Sequence, residues 1–387
     1  MVHRPRVYLD YAATAPLRPQ AREAILAALD HTGNASSIHA EGRAARGMIE
    51  TARGRIAARI GTAARNVIFT SSATEAANLA LTPHIQLGRD KTPFDLLLLA
   101  GGEHACVREG SRFPPQAIET LPLTSHGALR LDALMAALKH HDGRKIMLAL
   151  QAANNETGVV QPVAEAARLV HAAGGLIVCD ATQAMGRCDA TFATLGSDVL
   201  FFSSHKLGGP LGAGALAFAG DDLHMSQVMI RGGGQESGRR AGTENVPAVV
   251  GFAAAFEAAL SEMYNEAERL SILRDSVERR ISEIDPDAEI LGREAPRLAN
   301  LSAVILPQAP AQTLAMALDL EGVAVSAGSA CSSGKLSSSS VLKAMGRTEP
   351  AALRISLGWS SGAKDVECLG AALAMAVARM RSRRPAA

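Results

Sequence analysis

Several features are scarce in this sequence of 387 residues, and each scarcity disfavours a class of protein. Aromatic residues make up only 3% of the chain, which disfavours recognition of nucleic acid by base stacking. Lys and Arg together number 39 against 38 Asp and Glu, so no strong net charge attracts nucleic acid or an anionic membrane. We therefore expect neither nucleic acid nor a membrane as a partner.

Cysteines are few, and their spacing suits neither disulfides nor zinc. The number is odd, and no two cysteines stand in a C-x-x-C arrangement, which disfavours a disulfide framework and a structural metal site. We expect no bound metal. The five cysteines are Cys106, Cys179, Cys188, Cys331 and Cys368. All but Cys331 lie in or beside apolar segments, so we expect those four in the core.

Long apolar runs are also missing. Runs such as residues 94–100 are far shorter than a bilayer span. Residues 1–6 lead into no apolar segment of the kind found in a secretory signal. Together with the cysteine usage, this favours a cytoplasmic location. Hydrophobic residues nevertheless make up 48% of the chain, enough to bury a sizeable core.

Helix and strand patterns alternate over the first two thirds of the chain. The patterns predict amphipathic helices at residues 18–29 and 44–60 and a capped helix at 76–81. Apolar segments predict strands at residues 66–70, 94–100, 145–150, 175–179, 197–202 and 213–219. Apolar strands separated by helices are typical of an α/β fold with a mostly parallel sheet covered on both faces.

The pattern of predicted secondary structure changes after residue 246. Residues 251–284 predict one or two long helices, and shorter strand and helix signals follow to residue 380. We predict a large domain of residues 15–255. A smaller α+β domain comprises residues 1–14 and 256–387 and includes the Gly/Ser-rich segment 326–340.

Polar residues follow the predicted strands of the large domain. In open parallel sheets, ligands bind at the carboxyl ends of the strands. The residues at those ends are Thr74, His104, Asn155, Asp180 and the segment 203–206. We expect these ends to converge on one site.

Asp180 and Lys206 carry the most chemical information. Each follows a strongly apolar strand, so the two could form a buried salt bridge, or the lysine could simply cap its strand. Alternatively, a pyridine-ring cofactor needs a carboxylate at its ring nitrogen and an amine at its aldehyde. A partly desolvated lysine has a lowered pKa and acts as a nucleophile.

The neighbouring residues favour the cofactor hypothesis. Residues 71–74 stand at a predicted helix N-terminus, which attracts phosphate. Ser203 and His205 offer further donors. Asn155 and Gln183 could bind a phenolic oxygen, and His104 could stack on a ring or move protons.

Two further residues have a structural and a functional interpretation. Cys331 lies in a Gly/Ser-rich segment that is either a flexible linker or a mobile arm for a reactive thiol. Arg354 opens a predicted strand and is either a surface arginine or a bidentate clamp for a carboxylate.

Taken together, these motifs resemble the cysteine desulfurases of the NifS/IscS type, within the class V aminotransferase-like branch of pyridoxal-phosphate enzymes. The resemblance runs from Tyr8 to Gly358. The matching segments are residues 8–14 (YLDYAAT), 33–37 (GNASS), 70–75 (TSSATE), 154–158 (NNETG), 180–183 (DATQ), 203–206 (SSHK), 232–236 (GGGQE), 240–245 (RAGTEN), 328–331 (GSAC) and 354–358 (RISLG). Serines at 72 and 204 replace the usual glycines of these enzymes, and Ser337–Ser340 replace the usual residues after the cysteine.

The resemblance implies a fold and a cofactor site. The fold would be pyridoxal-phosphate fold type I, with a mostly parallel seven-stranded sheet flanked by helices and a smaller α+β domain. Pyridoxal 5'-phosphate would form an internal aldimine with Lys206, pair through its pyridinium with Asp180, and stack on His104, which also serves acid–base roles. The remaining cofactor contacts would be Ala73 through its backbone, Thr74, Ser203 and His205 at the phosphate, and Asn155 and Gln183 at the ring oxygen.

The resemblance also implies a substrate and partners. Arg354, with Asn34 and Asn155, would bind the carboxylate of L-cysteine. L-Alanine would leave, and Cys331 would carry a persulfide whose sulfur passes to an iron–sulfur scaffold or another acceptor protein. Thr243 would reach the phosphate of the neighbouring subunit in a homodimer.

Alternative activities remain open at this point. Selenocysteine lyase activity and other class V aminotransferase-like chemistry use the same cofactor, although an aminotransferase needs no mobile cysteine segment. A non-catalytic scaffold is disfavoured because Asp180, Lys206 and Cys331 are all present.

Overall fold

The computed structural model of the chain describes residues 6–307, 309–328 and 339–382. Cys331 and the other residues of the segment 329–338 lie outside the described residues. The helices are Pro19–Leu29 (α1), Ala40–Ile60 (α2), Ala73–Ala80 (α3), Ala105–Arg108 (α4), Leu131–His140 (α5), Val163–Ala172 (α6), Phe192–Leu195 (α7), Val246–Ile284 (α8), Ala311–Leu320 (α9), Ser340–Ala344 (α10) and Ala363–Ser382 (α11). The strands are Val7–Tyr8 (β1), Val67–Thr70 (β2), Ile85–Leu87 (β3), Leu96–Ala100 (β4), Ile118–Leu121 (β5), Ile146–Gln151 (β6), Leu176–Asp180 (β7), Val199–Ser203 (β8), Gly214–Phe218 (β9), Leu223–Met225 (β10), Glu289–Ile290 (β11), Leu301–Ile305 (β12), Val323–Ala324 (β13), Ser326–Ala327 (β14) and Leu353–Ser356 (β15).

The central sheet has seven strands in the order β2-β9-β8-β7-β6-β4-β5. The pairs β4–β5, β4–β6, β6–β7 and β7–β8 are parallel, whereas β9 runs antiparallel to both of its neighbours. The predicted mostly parallel seven-stranded sheet is therefore confirmed. Its central strands are buried at every position, which is why they appear in the sequence as continuous apolar runs.

Each central strand contributes to two apolar layers. In β4, Leu96 and Leu98 join a core on one face of the sheet, whereas Leu97 and Leu99 join a separate core on the other. This alternation follows from the two-residue period of a strand. The two layers hold the sheet between helices and fix where its strand ends emerge.

A second, smaller sheet forms near the C-terminal end of the chain. Its order is β11-β12-β15-β14, and its core includes residues of α9 and α11 together with Val7 and Leu9. The N-terminal strand β1 pairs in parallel with β13, so the two ends of the chain meet in this core. The predicted smaller α+β unit contains these elements.

The long helix α8 connects the two cores. Leu270, Val277 and Ile281 contribute to the core of the small sheet. The earlier residues of α8 that contribute to the core of the large sheet are Ala248, Val249, Phe252, Ala253, Phe256 and Ala259. The domain division at residue 255 stays a prediction. By length and composition α8 could cross a membrane. However, half of its most apolar 18-residue stretch is buried inside the protein, as in a core helix.

A buried ion pair ties a surface loop to helix α2. The two terminal nitrogens of the Arg53 guanidinium donate to the Glu236 carboxylate at 2.5 and 2.8 Å. The backbone N–H of Phe69 donates to the same carboxylate at 2.9 Å. Glu236 has a φ of 49°, a left-handed conformation that costs free energy in a residue other than glycine. The ion pair therefore holds the strained loop that leads to Thr243.

We predict that Glu236→Gln lowers the free energy of unfolding by about 3 kcal/mol, because it removes the buried charge that pairs with Arg53 and leaves only the exposed carboxylate of Glu50. Urea denaturation measures this change. Glu257→Gln is the matched control, since Glu257 pairs with Arg55 of the same helix at an exposed position and should cost under about 1 kcal/mol. Equal losses in both variants would contradict the structural importance of the buried pair.

Candidate active site

A cleft with a cavity volume of about 180 Å³ opens at the carboxyl ends of the central strands. It gathers most of the residues that the sequence nominated, including Arg354 from the small sheet. The predicted residues that line it are Ala73, Thr74, His104, Asn155, Asp180, Gln183, Ser203, His205, Lys206 and Arg354. The expected convergence of strand ends on one cavity is confirmed.

Asp180 is the last residue of β7, and only 8% of its surface is exposed. Burial raises its pKa above the usual range, while hydrogen bonds from Thr182 and the charges of His104 and Lys206 oppose that rise. One of these bonds runs from the Thr182 backbone N–H to Oδ1 at 2.8 Å. A carboxylate with so little exposure to solvent is suited to a cationic partner in the cleft.

Lys206 follows β8 in a short 3₁₀ turn. Its Nζ donates to the backbone carbonyls of Ala12 at 2.8 Å and Ala13 at 2.6 Å. The N-terminal segment therefore forms one wall of the cleft, and Lys206 holds it there. Any residue can supply a backbone carbonyl, so the sequence around Lys206 does not predict this contact.

The neighbouring His205 is held in its neutral form. Its Nδ1 lies 3.1 Å from the Thr14 hydroxyl. Burial lowers the pKa of His205 to about 4, and the charges of Lys206 and Arg187 add to this effect. Near neutral pH it therefore offers a hydrogen bond rather than a charge.

Helix α3 begins at the cleft. Ser72 caps it by accepting a hydrogen bond from the Glu75 backbone N–H at 3.2 Å, so the serine at this position serves the turn. Gly214 of β9 passes so close that an added Cβ would lie 2.6 Å from the Ser72 carbonyl carbon. The result is a compact turn with backbone N–H groups available for an anion.

His104 caps the short helix α4. Its Nδ1 accepts from the Cys106 backbone N–H at 3.2 Å and lies 3.0 Å from the Cys106 sulfur. A neutral ring that accepts at Nδ1 carries its hydrogen on Nε2. Cys106 is buried, as expected, but it also lines the cleft. The prediction of a core position is wrong for Cys368, which is exposed on α11.

The Gln183 Oε1 and the Arg354 Nε are buried at the cleft without a hydrogen-bond partner among the residues that the structure describes. The amide nitrogen of Gln183 donates to the Ala12 carbonyl at 2.9 Å. Buried polar atoms are nearly always satisfied in folded proteins. Together with the dry carboxylate, the amine and the helix N-terminus, they fit a polar, anionic, ring-shaped ligand such as pyridoxal phosphate.

Arg354 enters the cleft from β15 and is only 2% exposed, so its interpretation as a surface arginine is wrong. One terminal nitrogen donates to Asp10 Oδ1 at 2.9 Å, and the other donates to the Asn155 carbonyl at 3.0 Å. Its Nε is buried without a partner in the described part of the chain. A guanidinium whose Nε–H is still unpaired can receive an anion.

Sequence reasoning missed three further polar residues of this region. Gln151 lines the cleft, and its backbone N–H donates to the Glu103 carboxylate at 2.8 Å. Burial raises the pKa of Glu103 well above its usual range. The only sequence feature that could have indicated Glu103 as a site residue is its position directly before His104. The third residue is Asp10, the ion-pair partner of Arg354.

Three nominated residues are not seen in the cleft. Asn34 and Thr243 are exposed and absent from its lining, and the Asn34 side chain accepts a hydrogen bond from the Ser36 backbone N–H at 2.9 Å. Cys331 lies outside the described residues. The roles assigned to these three residues stay predictions.

The chain is similar to known proteins over nearly its whole length. Residues 7–369 match the family described as aminotransferase class-V. The chain is 34% identical to cysteine desulfurase IscS 1 of Archaeoglobus fulgidus, over 98% of each chain, and 37% identical to the IscS-like cysteine desulfurase of Mycobacterium tuberculosis, over 97% of each. It superimposes on the structure of a NifS-like protein from Rickettsia africae with a TM-score of 0.86 at 29% identity, covering 96% of this chain and 99% of that one.

The suspected resemblance is thereby confirmed, and with it the expectation of a pyridoxal-phosphate enzyme fold. The chain belongs to the aminotransferase class-V family and, within it, to the cysteine desulfurases of the NifS/IscS type.

Proposed function

We propose that this protein is a pyridoxal-phosphate-dependent cysteine desulfurase that converts L-cysteine to L-alanine and leaves a persulfide on Cys331. The observation that carries the proposal is the cleft that brings Asp180, Lys206 and Arg354 together. A buried carboxylate, an amine and a guanidinium are the groups that a pyridine-aldehyde cofactor and an amino-acid substrate require.

Each wall of the cleft has a role in holding the cofactor. Asp180 would pair with the ring nitrogen, and Lys206 would bind the aldehyde carbon. The phosphate would lie at the N-terminus of α3, against the backbone of Ala73. Thr74, Ser203 and His205 would add donors to the phosphate, Gln183 and Asn155 would face the ring oxygen, and His104 would stack on the ring. When bound, pyridoxal phosphate supplies an electron-accepting ring conjugated to the substrate amine.

Proton movement is assigned to two side chains. The Nζ of Lys206, once it leaves the aldehyde carbon, would take the proton from the substrate α-carbon. His104 would exchange protons through Nε2, because its Nδ1 is engaged with Cys106. Arg354 would bind the substrate carboxylate, with Nε as the donor that its present contacts leave available, helped by Asn155 and Asn34.

The sulfur is proposed to pass to Cys331. Its thiolate attacks the substrate sulfur, a sulfur–sulfur bond forms, and the carbon–sulfur bond breaks. The bonding electron pair stays with the carbon, which is then protonated to give alanine. Cys331 stands five residues after Ser326, which pairs with Arg354.

A homodimer is part of the same proposal. Thr243 is exposed and does not line the cleft of its own chain, so it is free to serve the phosphate site of a second copy. Large apolar side chains are also exposed on α1 and in loops, which suits a protein interface. They include Leu26, Leu29, Ile38, Met229 and Ile230. The sulfur acceptor would be an iron–sulfur scaffold or another protein in the cytoplasm.

We predict that Lys206→Ala abolishes the covalent link to pyridoxal phosphate and lowers desulfurase activity by about a hundredfold or more. Borohydride reduction followed by mass spectrometry measures the link, since only an amine-bound cofactor becomes permanently attached. Lys364→Ala is the control, because Lys364 is exposed on α11. A normal cofactor adduct in Lys206→Ala would rule out the assigned amine.

We predict that Cys331→Ala keeps the absorption band of the bound cofactor but no longer releases sulfide from L-cysteine in the presence of a reducing thiol. The cofactor residues are intact in this variant, whereas the sulfur has no acceptor. Sulfide and alanine are assayed together. Cys368→Ala is the matched control and should behave as wild type, because Cys368 is exposed on α11. Full sulfide release by Cys331→Ala would refute the assigned nucleophile.

A further inference from the structure

Asp10 lies beside the small sheet in a fixed backbone position. It forms an isolated parallel bridge with Ser356 of β15, two residues after Arg354. The Tyr8 hydroxyl donates to the Asp10 carbonyl at 3.2 Å and to the Thr14 carbonyl at 2.8 Å. These contacts hold the turn after β1 against the strand that carries the guanidinium.

The two carboxylate oxygens of Asp10 have different partners. Oδ1 accepts from the Arg354 guanidinium at 2.9 Å, and Oδ2 accepts from the Ser326 hydroxyl at 2.8 Å. Ser326 is itself paired with Arg354 across β14 and β15. The carboxylate is therefore held from both sides, so its orientation toward Arg354 is fixed.

The contacts of Arg354 fix the orientation of its guanidinium. The Asp10 carboxylate and the Asn155 carbonyl each accept one N–H of a different terminal nitrogen. Since the guanidinium is planar and rigid, fixing both terminal nitrogens also fixes the direction of the Nε–H bond. That donor is buried without a partner among the described residues, on a side chain that lines the cleft.

We propose that Asp10 is a positioning residue for substrate binding: its carboxylate fixes the Arg354 guanidinium so that this group receives the carboxylate of the amino-acid substrate. This rests on the proposed function, which makes Arg354 the carboxylate clamp. A buried cation needs a compensating charge while the cleft holds no substrate. Asp10 supplies that charge, and without it the guanidinium is free to turn away.

The test compares two amines that differ by the carboxylate. L-Alanine and ethylamine both change the absorption of the enzyme-bound cofactor when they bind, and neither needs Cys331 or turnover. In the holoenzyme variant Asp10→Asn, which keeps the shape and loses the charge, we expect the Kd of L-alanine to rise about tenfold. The Kd of ethylamine should stay within about twofold of wild type, because ethylamine makes no use of Arg354.

A double-mutant cycle shows whether Asp10 acts through Arg354. In an Arg354→Ala background, Asp10→Asn should have no further effect on L-alanine binding. Ser326→Ala is a milder second variant that keeps the ion pair and removes one hydrogen bond to Asp10; it should weaken L-alanine binding by about threefold and leave ethylamine binding unchanged.

Three results would overturn the inference. They are unchanged L-alanine binding in both single variants, an equal loss for both amines, and a full effect of Asp10→Asn without Arg354. A wild-type protein whose absorption responds to neither amine would contradict the proposed function itself, and the inference with it.

Discussion

The parallel register of the central strands is the constraint on which the site depends. β6, β7 and β8 pair so that Gln151 lies beside Asp180 and Asp180 beside Phe201. β6 and β7 therefore end at one level and β8 ends two residues further on, and polar residues at these strand ends line a common cleft. The apolar layers on both faces keep this register, because a shift by one residue would exchange the two faces of a strand.

The cleft holds charges in a dry environment, and their partners decide what each can do. Asp180 has hydrogen bonds to its carboxylate and cationic neighbours, whereas Glu103, close to it, has a strongly raised pKa. Burial raises the pKa of both carboxyl groups, but the Thr182 hydrogen bonds and the charges of His104 and Lys206 oppose that rise at Asp180. Asp180 is therefore the one better suited to a cationic ligand. His205, kept neutral, adds a donor without adding charge.

Local patterns predicted much of the molecule, and long-range contacts account for what they missed. Apolar runs located β4, β6, β7 and β8, and the rule for strand ends then nominated Asp180 and Lys206. Helix α3 begins three residues before the predicted start because Ser72 caps it. Asp10 could not be assigned a role, since its partner stands 344 residues away. Cys368 stands beside apolar residues in the sequence, but it lies on the solvent-exposed side of α11.

The meeting of the two chain ends has a consequence for biosynthesis. Strand β1 cannot pair until its partner β13 has been synthesised. Asp10, which follows β1, cannot form its ion pair until Arg354 on β15 has been synthesised. Contacts so distant in sequence form late. The Arg354 side of the pocket can therefore form only after β15 has been synthesised, and until then the turn after β1 lacks its ion-pair partner.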